Sequence, residues 1–176
     1  SQSFPVDGSR LPIHQHAIIG DGYSCALVGT DGSIPWLCLP QFDSPSVFGQ
    51  ILDRDQGGSF RVAPTGTGSR SRQAYDDSTN VLQTSVRSAG GEMVVTDFVP
   101  WTGEQHTALH ELHRLLEMRE GAMETEVVFD PRFDYARGDT RVEITAHGAL
   151  ARGPRGEMLS VSISPGLRFE ARPQGG

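Results

Sequence analysis

Residues 25–39 read CALVGTDGSIPWLCL, two apolar runs joined by a polar turn. Asp31-Gly32 is a strong signal for a two-residue hairpin loop, because both residues tolerate the positive φ of a type I′ turn. Counting outward from this loop places Thr30 opposite Ser33, Leu27 opposite Trp36 and Cys25 opposite Cys38. The stretch therefore predicts an antiparallel β-hairpin whose register is set by its turn.

The predicted hairpin brings its two cysteines together. If Cys25 and Cys38 form a non-hydrogen-bonded pair, their Cα atoms lie ~4.5 Å apart. That distance permits a cross-strand disulfide, although a strained one. The alternative is a pair of buried thiols that behave as small apolar residues. Pro35 lacks an N–H donor, so we expect its strand to be bulged there or to lie at a sheet edge.

Period-two alternation continues outward from the hairpin over much of the chain. Apolar and polar residues alternate over 141–147, 159–164 and 167–172, as in strands that have one face on a core. Further strands are predicted near 81–87, 92–99 and 124–129, with Gly90-Gly91 as the turn between the first two. Many short strands separated by Gly and Pro turns predict an all-β sandwich or barrel.

Two segments carry helical signals. Ser44 is a good N-cap, Pro45 suits the first helical position, and apolar residues recur at helical spacing as far as Leu52. The sequence therefore predicts one short helix that begins at Ser44. Residues 104–120 are ambiguous, because their composition favours a helix whereas the alternation over 112–118 fits a strand.

Size and charge exclude several classes of protein. The 176 residues suffice for a single domain, and we treat 1–176 as one. The net charge is −7 and no basic cluster is present, which argues against nucleic-acid binding. No apolar run approaches the ~20 residues that cross a bilayer. The absence of a signal-peptide core and the two cysteines favour a soluble protein of a reducing compartment, the cytoplasm.

Candidate metal ligands and catalytic carboxylates are scattered. His106, His110 and His113 would share one face of a helix, but they lack zinc-protease spacing and would not converge on a strand, so we expect no metal and no cofactor. A glycosidase needs two carboxylates ~5–10 Å apart, and no spacing pairs the candidates. These are Asp21, Asp43, Asp97 and Asp134.

Two loops that follow strands share a Pro-x-Phe-Asp core. They are Pro40-Gln41-Phe42-Asp43 and Pro131-Arg132-Phe133-Asp134-Tyr135. An aromatic ring beside an acid offers a flat apolar face for a sugar ring and an acceptor for its hydroxyls. In the alternative interpretation, each Asp caps a turn while each Phe packs inward.

The same residues carry a family resemblance. Residues 19–22, 26–28, 31–40 and 42–48 closely resemble the opening of bacterial-type family 15 glycoside hydrolases, the glucoamylase and trehalase-like group. Later matches follow in the family's order: Gly57-Gly58, Ala63-Pro64, Tyr75, residues 79–82, residues 96–100 and residues 131–135. Gln41 stands where the family commonly has Arg, and Pro35 where it commonly has an acidic residue.

The resemblance implies the N-terminal β-sandwich of such an enzyme, of the super-β-sandwich type, with a strand within 104–120. It also implies that an (α/α)6 barrel of the same polypeptide carries two Glu residues for inverting hydrolysis of an α-glucoside. No residue of this sequence matches either Glu.

We therefore expect a domain that is inactive alone, packs on the barrel and shapes the active-site entrance, or alternatively a module that binds α-glucan. The expected contact residues are Trp36, Gln41, Phe42, Asp43, Arg132, Phe133, Asp134 and Tyr135. A sandwich cut before its last strands would expose an apolar flank, so self-association is expected.

Overall fold

The computed structural model describes residues 4–5, 11–101, 110–165 and 170, and this part of the chain is almost entirely β. The strands are β1 Phe4–Pro5, β2 His16–Gly20, β3 Cys25–Gly29, β4 Ser33–Ile34, β5 Trp36–Cys38, β6 Ser46–Phe48, β7 Ser59–Pro64, β8 Arg70–Tyr75, β9 Leu82–Ser88, β10 Gly91–Phe98, β11 His113–Gly121, β12 Thr125–Asp130, β13 Arg141–Thr145, β14 Gly148–Arg152 and β15 Met158–Ser162. A 3-10 turn covers Ile13–Gln15, and one helical turn, α1, covers Phe133–Ala136. The predicted all-β class is confirmed.

The strands form four antiparallel sheets. The largest has the order β1-β8-β9-β10-β11, and the second has the order β2-β3-β5-β6. Two three-stranded sheets have the orders β12-β7-β4 and β13-β14-β15. Every pairing is antiparallel, as an all-β chain with short connections requires.

The hairpin has the predicted register but a different turn. Leu27 pairs with Trp36 and Cys25 with Cys38. Within the turn only Gly32 has a positive φ, 79°, and its N–H donates to the Gly29 carbonyl at 3.0 Å. The type I′ prediction is therefore wrong, because Asp31 keeps a negative φ and its carboxylate accepts the Ser33 N–H at 3.0 Å. A turn followed by one left-handed glycine is the usual three-residue alternative.

Pro35 separates two strands that belong to different sheets. Ser33–Ile34 pairs with Arg61 and Phe60 on β7, whereas Trp36–Cys38 pairs with β3. The expected pairing of Ser33 with Thr30 is absent because Ser33 has turned toward β7. Proline has no N–H to donate to a β-ladder. The chain therefore changes sheets at a residue that neither sheet uses as a hydrogen-bond donor.

The helix predicted to begin at Ser44 is wrong. Ser46–Phe48 instead forms β6, which pairs with β5, and all three of its residues are buried. A helix would bury only one stripe of this segment, whereas a strand covered on both faces buries every residue. The chain then returns through turns, in which the Gly49 N–H donates to the Gly57 carbonyl at 2.8 Å.

The ambiguous segment resolves as a strand where the structure describes it. Residues 113–121 form β11, which pairs with β10 from His113 to Gly121 apart from a bulge at Arg119. Tertiary pairing thus outweighs helix propensity here. Residues 104–109, which include His106, lie outside the described residues, and so does the strand expected at 167–172 apart from Glu170.

The main core lies where all four sheets meet. Its buried members come from strands of every sheet, namely β2, β3, β4, β5, β6, β9 and β14, and include Ile19, Val28, Ile34, Phe48, Leu82 and Ala151. A second cluster of Val62, Val86, Met93 and Val95 joins β7 to β9 and β10. Polar side chains also bridge the layers. Gln73 on β8 donates to the carbonyls of Val28 and Gly29 at 3.3 and 3.1 Å.

A buried ion pair ties the five-stranded sheet to the β7 sheet. The Arg114 Nε donates to Asp97 Oδ1 at 2.7 Å and Nη2 to Oδ2 at 3.2 Å. The side chains are 4% and 0% exposed. The same guanidinium donates to the carbonyls of Phe60 and Gly32 at 3.0 and 2.9 Å. One side chain therefore fixes two sheets and the hairpin turn.

Candidate functional site

The second Pro-x-Phe-Asp loop lies against β5 and β6, the two strands that flank the first loop. The Arg132 N–H donates to the Val47 carbonyl at 2.8 Å, which attaches the second loop to β6. The rings of Trp36 and Tyr135 lie 6.1 Å apart between centroids, tilted by 42°. This separation is within the range of favourable aromatic pairs. The aromatic residues predicted from two distant motifs thus form one contact.

The second loop adopts a left-handed turn. Asp134, Tyr135 and Ala136 have φ values of 52°, 57° and 60°, and each non-glycine residue in this region costs about 1–2 kcal/mol. Phe133 anchors the turn from the main core, and its N–H donates to Thr140 Oγ1 at 3.3 Å. Backbone strain of this kind persists only where the surroundings enforce it, and it is concentrated at functional positions.

A row of apolar side chains crosses the outer face of the β2-β3-β5-β6 sheet. Ile18 is directly opposite Leu27, and Leu27 is opposite Trp36, so the three share one face. Their chain neighbours Ile19, Ala26 and Leu37 point to the core. Ile18 is 58% exposed and Tyr135, which extends the row beyond Trp36, is 38% exposed. We call Ile18, Leu27, Trp36 and Tyr135 the aromatic face.

The first loop lies beside the aromatic face and is open to solvent. Gln41, Phe42 and Asp43 are exposed, and the Phe42 side chain is 68% exposed. The backbone of the loop is nevertheless held, because the Phe42 N–H donates to the Tyr23 carbonyl at 2.6 Å. Phe42 therefore presents its ring outward from a fixed backbone, unlike Phe133, which packs inward.

Charged groups surround the second loop. Arg137 lies over the ring of Tyr135 at 5.4 Å from its centroid. Arg132 Nε donates to Asp130 Oδ1 at 2.9 Å, and Asp134 forms an ion pair with Arg155. Sequence reasoning missed Arg137 and Arg155, because nothing in the local pattern indicates that they return to this loop.

The two cysteines lie directly opposite each other on β3 and β5. Both are free thiols; Cys38 is 1% exposed, and Cys25 is partly exposed. Burial, and then the neighbouring Cys25 thiol and Asp43 carboxylate, raise the pKa of Cys38, while a hydrogen bond with the Trp36 side chain opposes them. Cys38 leads directly into the first loop, and Asp43 of that loop is close enough to influence the pKa of Cys38.

The candidate carboxylates have structural partners. Asp21 Oδ1 accepts the N–H groups of Tyr23 and Ser24, both at 2.8 Å. Burial alone would raise the pKa of Asp21, but the hydrogen bonds from Ser24 and Tyr23 outweigh it and lower that pKa. Asp97 is committed to the buried ion pair described above and Asp134 to Arg155. Asp43 alone of the four stands exposed on a candidate loop.

The described residues can be compared with the features that metal binding and membrane crossing require. Within the described ranges, no group of three or more His, Cys, Asp or Glu side chains is placed to hold a metal ion. Of the three histidines considered as metal ligands, His106 lies outside the described residues. No described helix has the length and apolar character needed to span a bilayer.

Comparison with known proteins identifies the relatives of this chain. The family model described as trehalase-like, N-terminal, matches residues 6–176. A trehalase of Thermoplasma volcanium is 34% identical over 140 residues, which cover 78% of this chain and 22% of the relative. A trehalase of Mycobacterium tuberculosis is 32% identical over 170 residues, covering 86% of this chain and 25% of the relative. The chain thus spans about a quarter of the curated relatives it matches, and no solved structure matches it.

Proposed function

The chain belongs to the trehalase-like N-terminal domain family, and from that premise we propose that it is the non-catalytic domain of an inverting α-glucoside hydrolase. In this proposal it is a single domain, 1–176, whose polypeptide continues into an (α/α)6 barrel with two catalytic Glu residues, and the enzyme acts in the cytoplasm. Trehalose is the first substrate to test, because the relatives carry the name trehalase. The domain packs on the barrel and shapes the entrance to its active site.

The aromatic face carries this proposal. Its four side chains come from three strands and a loop and form an apolar row on the outside of a rigid sheet. Partly exposed aromatic and aliphatic side chains in a contiguous patch are typical of protein interfaces. The occupant we propose is the barrel of the same polypeptide, because the matched relatives are roughly four times longer than the matched region.

The first loop completes the proposed surface at one end. Phe42 and Asp43 project from a backbone that is tied to Tyr23, and in this proposal they contact the rim of the barrel or the substrate. Gln41, in place of the family's common Arg, offers a neutral amide where a bidentate cation would otherwise stand. We therefore assign packing to the aromatic face and specificity to the exposed loop.

Kinetics of the full-length enzyme test the proposal. Trp36→Ala and Tyr135→Ala should each lower kcat/KM for trehalose at least tenfold, since buried aromatic anchors contribute about 2 kcal/mol or more at interfaces. Trp101→Ala is the matched control, because Trp101 is 74% exposed and lies outside the aromatic face. It should leave kcat/KM unchanged.

Two results would overturn the proposal. One is hydrolysis by Trp36→Ala and Tyr135→Ala at the rate of the Trp101→Ala control, with all three variants folded. The other is α-glucosidase activity from the isolated chain. The proposal also expects the isolated chain to self-associate through its uncovered apolar surface, and sedimentation would detect this.

The exposed aromatic rings favour a second candidate function, binding of α-glucan by the domain itself. Tyr135 and Phe42 are both open to solvent and could stack on sugar rings. Calorimetry of the isolated chain with maltooligosaccharides separates the two functions. Heat of binding that is lost in Phe42→Ala would support the second, whereas packing on a barrel predicts no heat.

A further inference from the structure

The opposed thiols of Cys25 and Cys38 form a potentially reactive pair that has no part in the proposed packing on the barrel. Cys25 opens β3 and Cys38 ends β5, and the two residues are direct cross-strand partners. Directly opposed residues of antiparallel strands have Cα atoms ~4.5–5.5 Å apart, and disulfides span Cα distances of about 4.4–6.8 Å. The Cα separation expected for a directly opposed pair therefore lies within the range that a disulfide spans.

We propose that Cys25 and Cys38 are a reversible dithiol that closes to a cross-strand disulfide when it meets a low-molecular-weight disulfide oxidant. The Cys25 thiolate attacks one sulfur of the oxidant, forming a mixed disulfide and releasing the first thiolate. The Cys38 thiolate then attacks the Cys25 sulfur and expels the second. The protein loses two protons and two electrons, and the oxidant is reduced to two thiols.

The environments of the two thiols assign this order of events. Cys25 is partly exposed, whereas Cys38 is buried, so an oxidant in solution reaches Cys25 first. Burial and the facing thiol raise the pKa of Cys38, which lowers its thiolate fraction and makes it the slower nucleophile. Once Cys25 carries the mixed disulfide, Cys38 lies directly opposite and attacks within the protein.

The position of the dithiol links it to the loops above it. Cys38 leads into the first loop through Leu39 and Pro40, and Cys25 follows the segment that contains Tyr23. The Phe42 N–H already donates to the Tyr23 carbonyl at 2.6 Å. A disulfide would therefore add a covalent link between two segments that the β3–β5 pairing and the Phe42–Tyr23 hydrogen bond already join, and it would further restrain Phe42 and Asp43.

Peptide mapping tests the bond directly. Cleavage before aspartate separates residues 21–30, which contain Cys25, from residues 31–42, which contain Cys38. The full-length protein is incubated with oxidised glutathione, trapped with an acid-stable alkylating agent, denatured and cleaved. We expect the two peptides to be linked, with a mass about 2 Da below the sum of the free peptides, and to separate on reduction.

Single-cysteine variants serve as controls. Cys38→Ser should accumulate a glutathione adduct on Cys25 and no linked peptide. Cys25→Ser should react much more slowly, and it provides a second variant if burial of serine at position 38 prevents folding. If the native protein gave alkylated or glutathione-bearing peptides and no linked pair, the proposal would be overturned. Equal adduct formation at both positions would overturn the assigned order of attack.

Discussion

Replacing Arg114 by Ala should be among the most damaging single changes available in this chain. The substitution leaves the Asp97 carboxylate, whose side chain is 0% exposed, without its cation. It also removes the donors to the carbonyls of Phe60 and Gly32. Breaking a buried pair by removing one partner costs about 3–5 kcal/mol. Each lost donor to a buried carbonyl adds about 1 kcal/mol or more, although hydration of the space that is opened offsets part of this sum.

We therefore expect the free energy of unfolding to fall by about 4 kcal/mol. For a chain of this length, that corresponds to a fall in Tm of roughly 8–16 °C. Urea titration followed by tryptophan fluorescence measures the first quantity, and calorimetry measures the second. The double variant Asp97→Ala/Arg114→Ala should be more stable than the sum of the single effects predicts, because no unpaired charge then remains.

Arg87→Ala provides the matched control for this prediction. Arg87 also pairs with a carboxylate, that of Glu92, at 2.6 Å, but its side chain is 69% exposed. Exposed ion pairs contribute little because solvent screens them, so the unfolding midpoint should not change. The reasoning is refuted if Arg114→Ala costs less than about 1 kcal/mol, or if the two arginine variants are equally stable.

Two further predictions concern the loops. The lowered pKa of Asp21 means that its contribution is present above the ordinary aspartate pKa of 3.8 and is lost as the pH falls through the folded-state value. Acid titration of Asp21→Asn should accordingly show a shallower loss of stability below about pH 4 than the native protein, and parallel curves would contradict this. Ala136→Gly should stabilise the fold by about 0.5–1 kcal/mol, because relief of a φ of 60° exceeds the entropic cost of glycine. Denaturant unfolding checks this against Ala74→Gly in the exposed part of β8, which should destabilise.

The sequence was sufficient to predict strands and register where one local pattern determined them. The register of Cys25 with Cys38, counted outward from Asp31-Gly32, is confirmed, although the turn is not type I′ and Ser33 pairs with β7 instead. The strands near 81–87, 92–99 and 124–129 are confirmed for the same reason. The resemblance, rather than propensity, correctly indicated that 113–121 is a strand, since its pairing partner β10 lies elsewhere in the chain.

The sequence was insufficient where partners distant in the chain decided the outcome. Ser44 and Pro45 look like the start of a helix, but the following residues pair with β5 and accept a bond from Arg132. The sequence did not distinguish Asp97 from three other candidate carboxylates, whereas the structure pairs it with Arg114. The contact between Trp36 and Tyr135 likewise depends on how the second loop packs against β5, which no local pattern predicts.

The sheet change at Pro35 makes one short segment common to two layers. Residues on its two sides hydrogen-bond to β7 and to β3, and Arg114 attaches the adjacent turn to a third sheet. Separating any one of these sheets must therefore disrupt the other two as well. The described part of the chain is thus poorly suited to being split into two fragments. Attempts to cut or permute the domain should avoid residues 30–38, where a single nick would release three sheets at once.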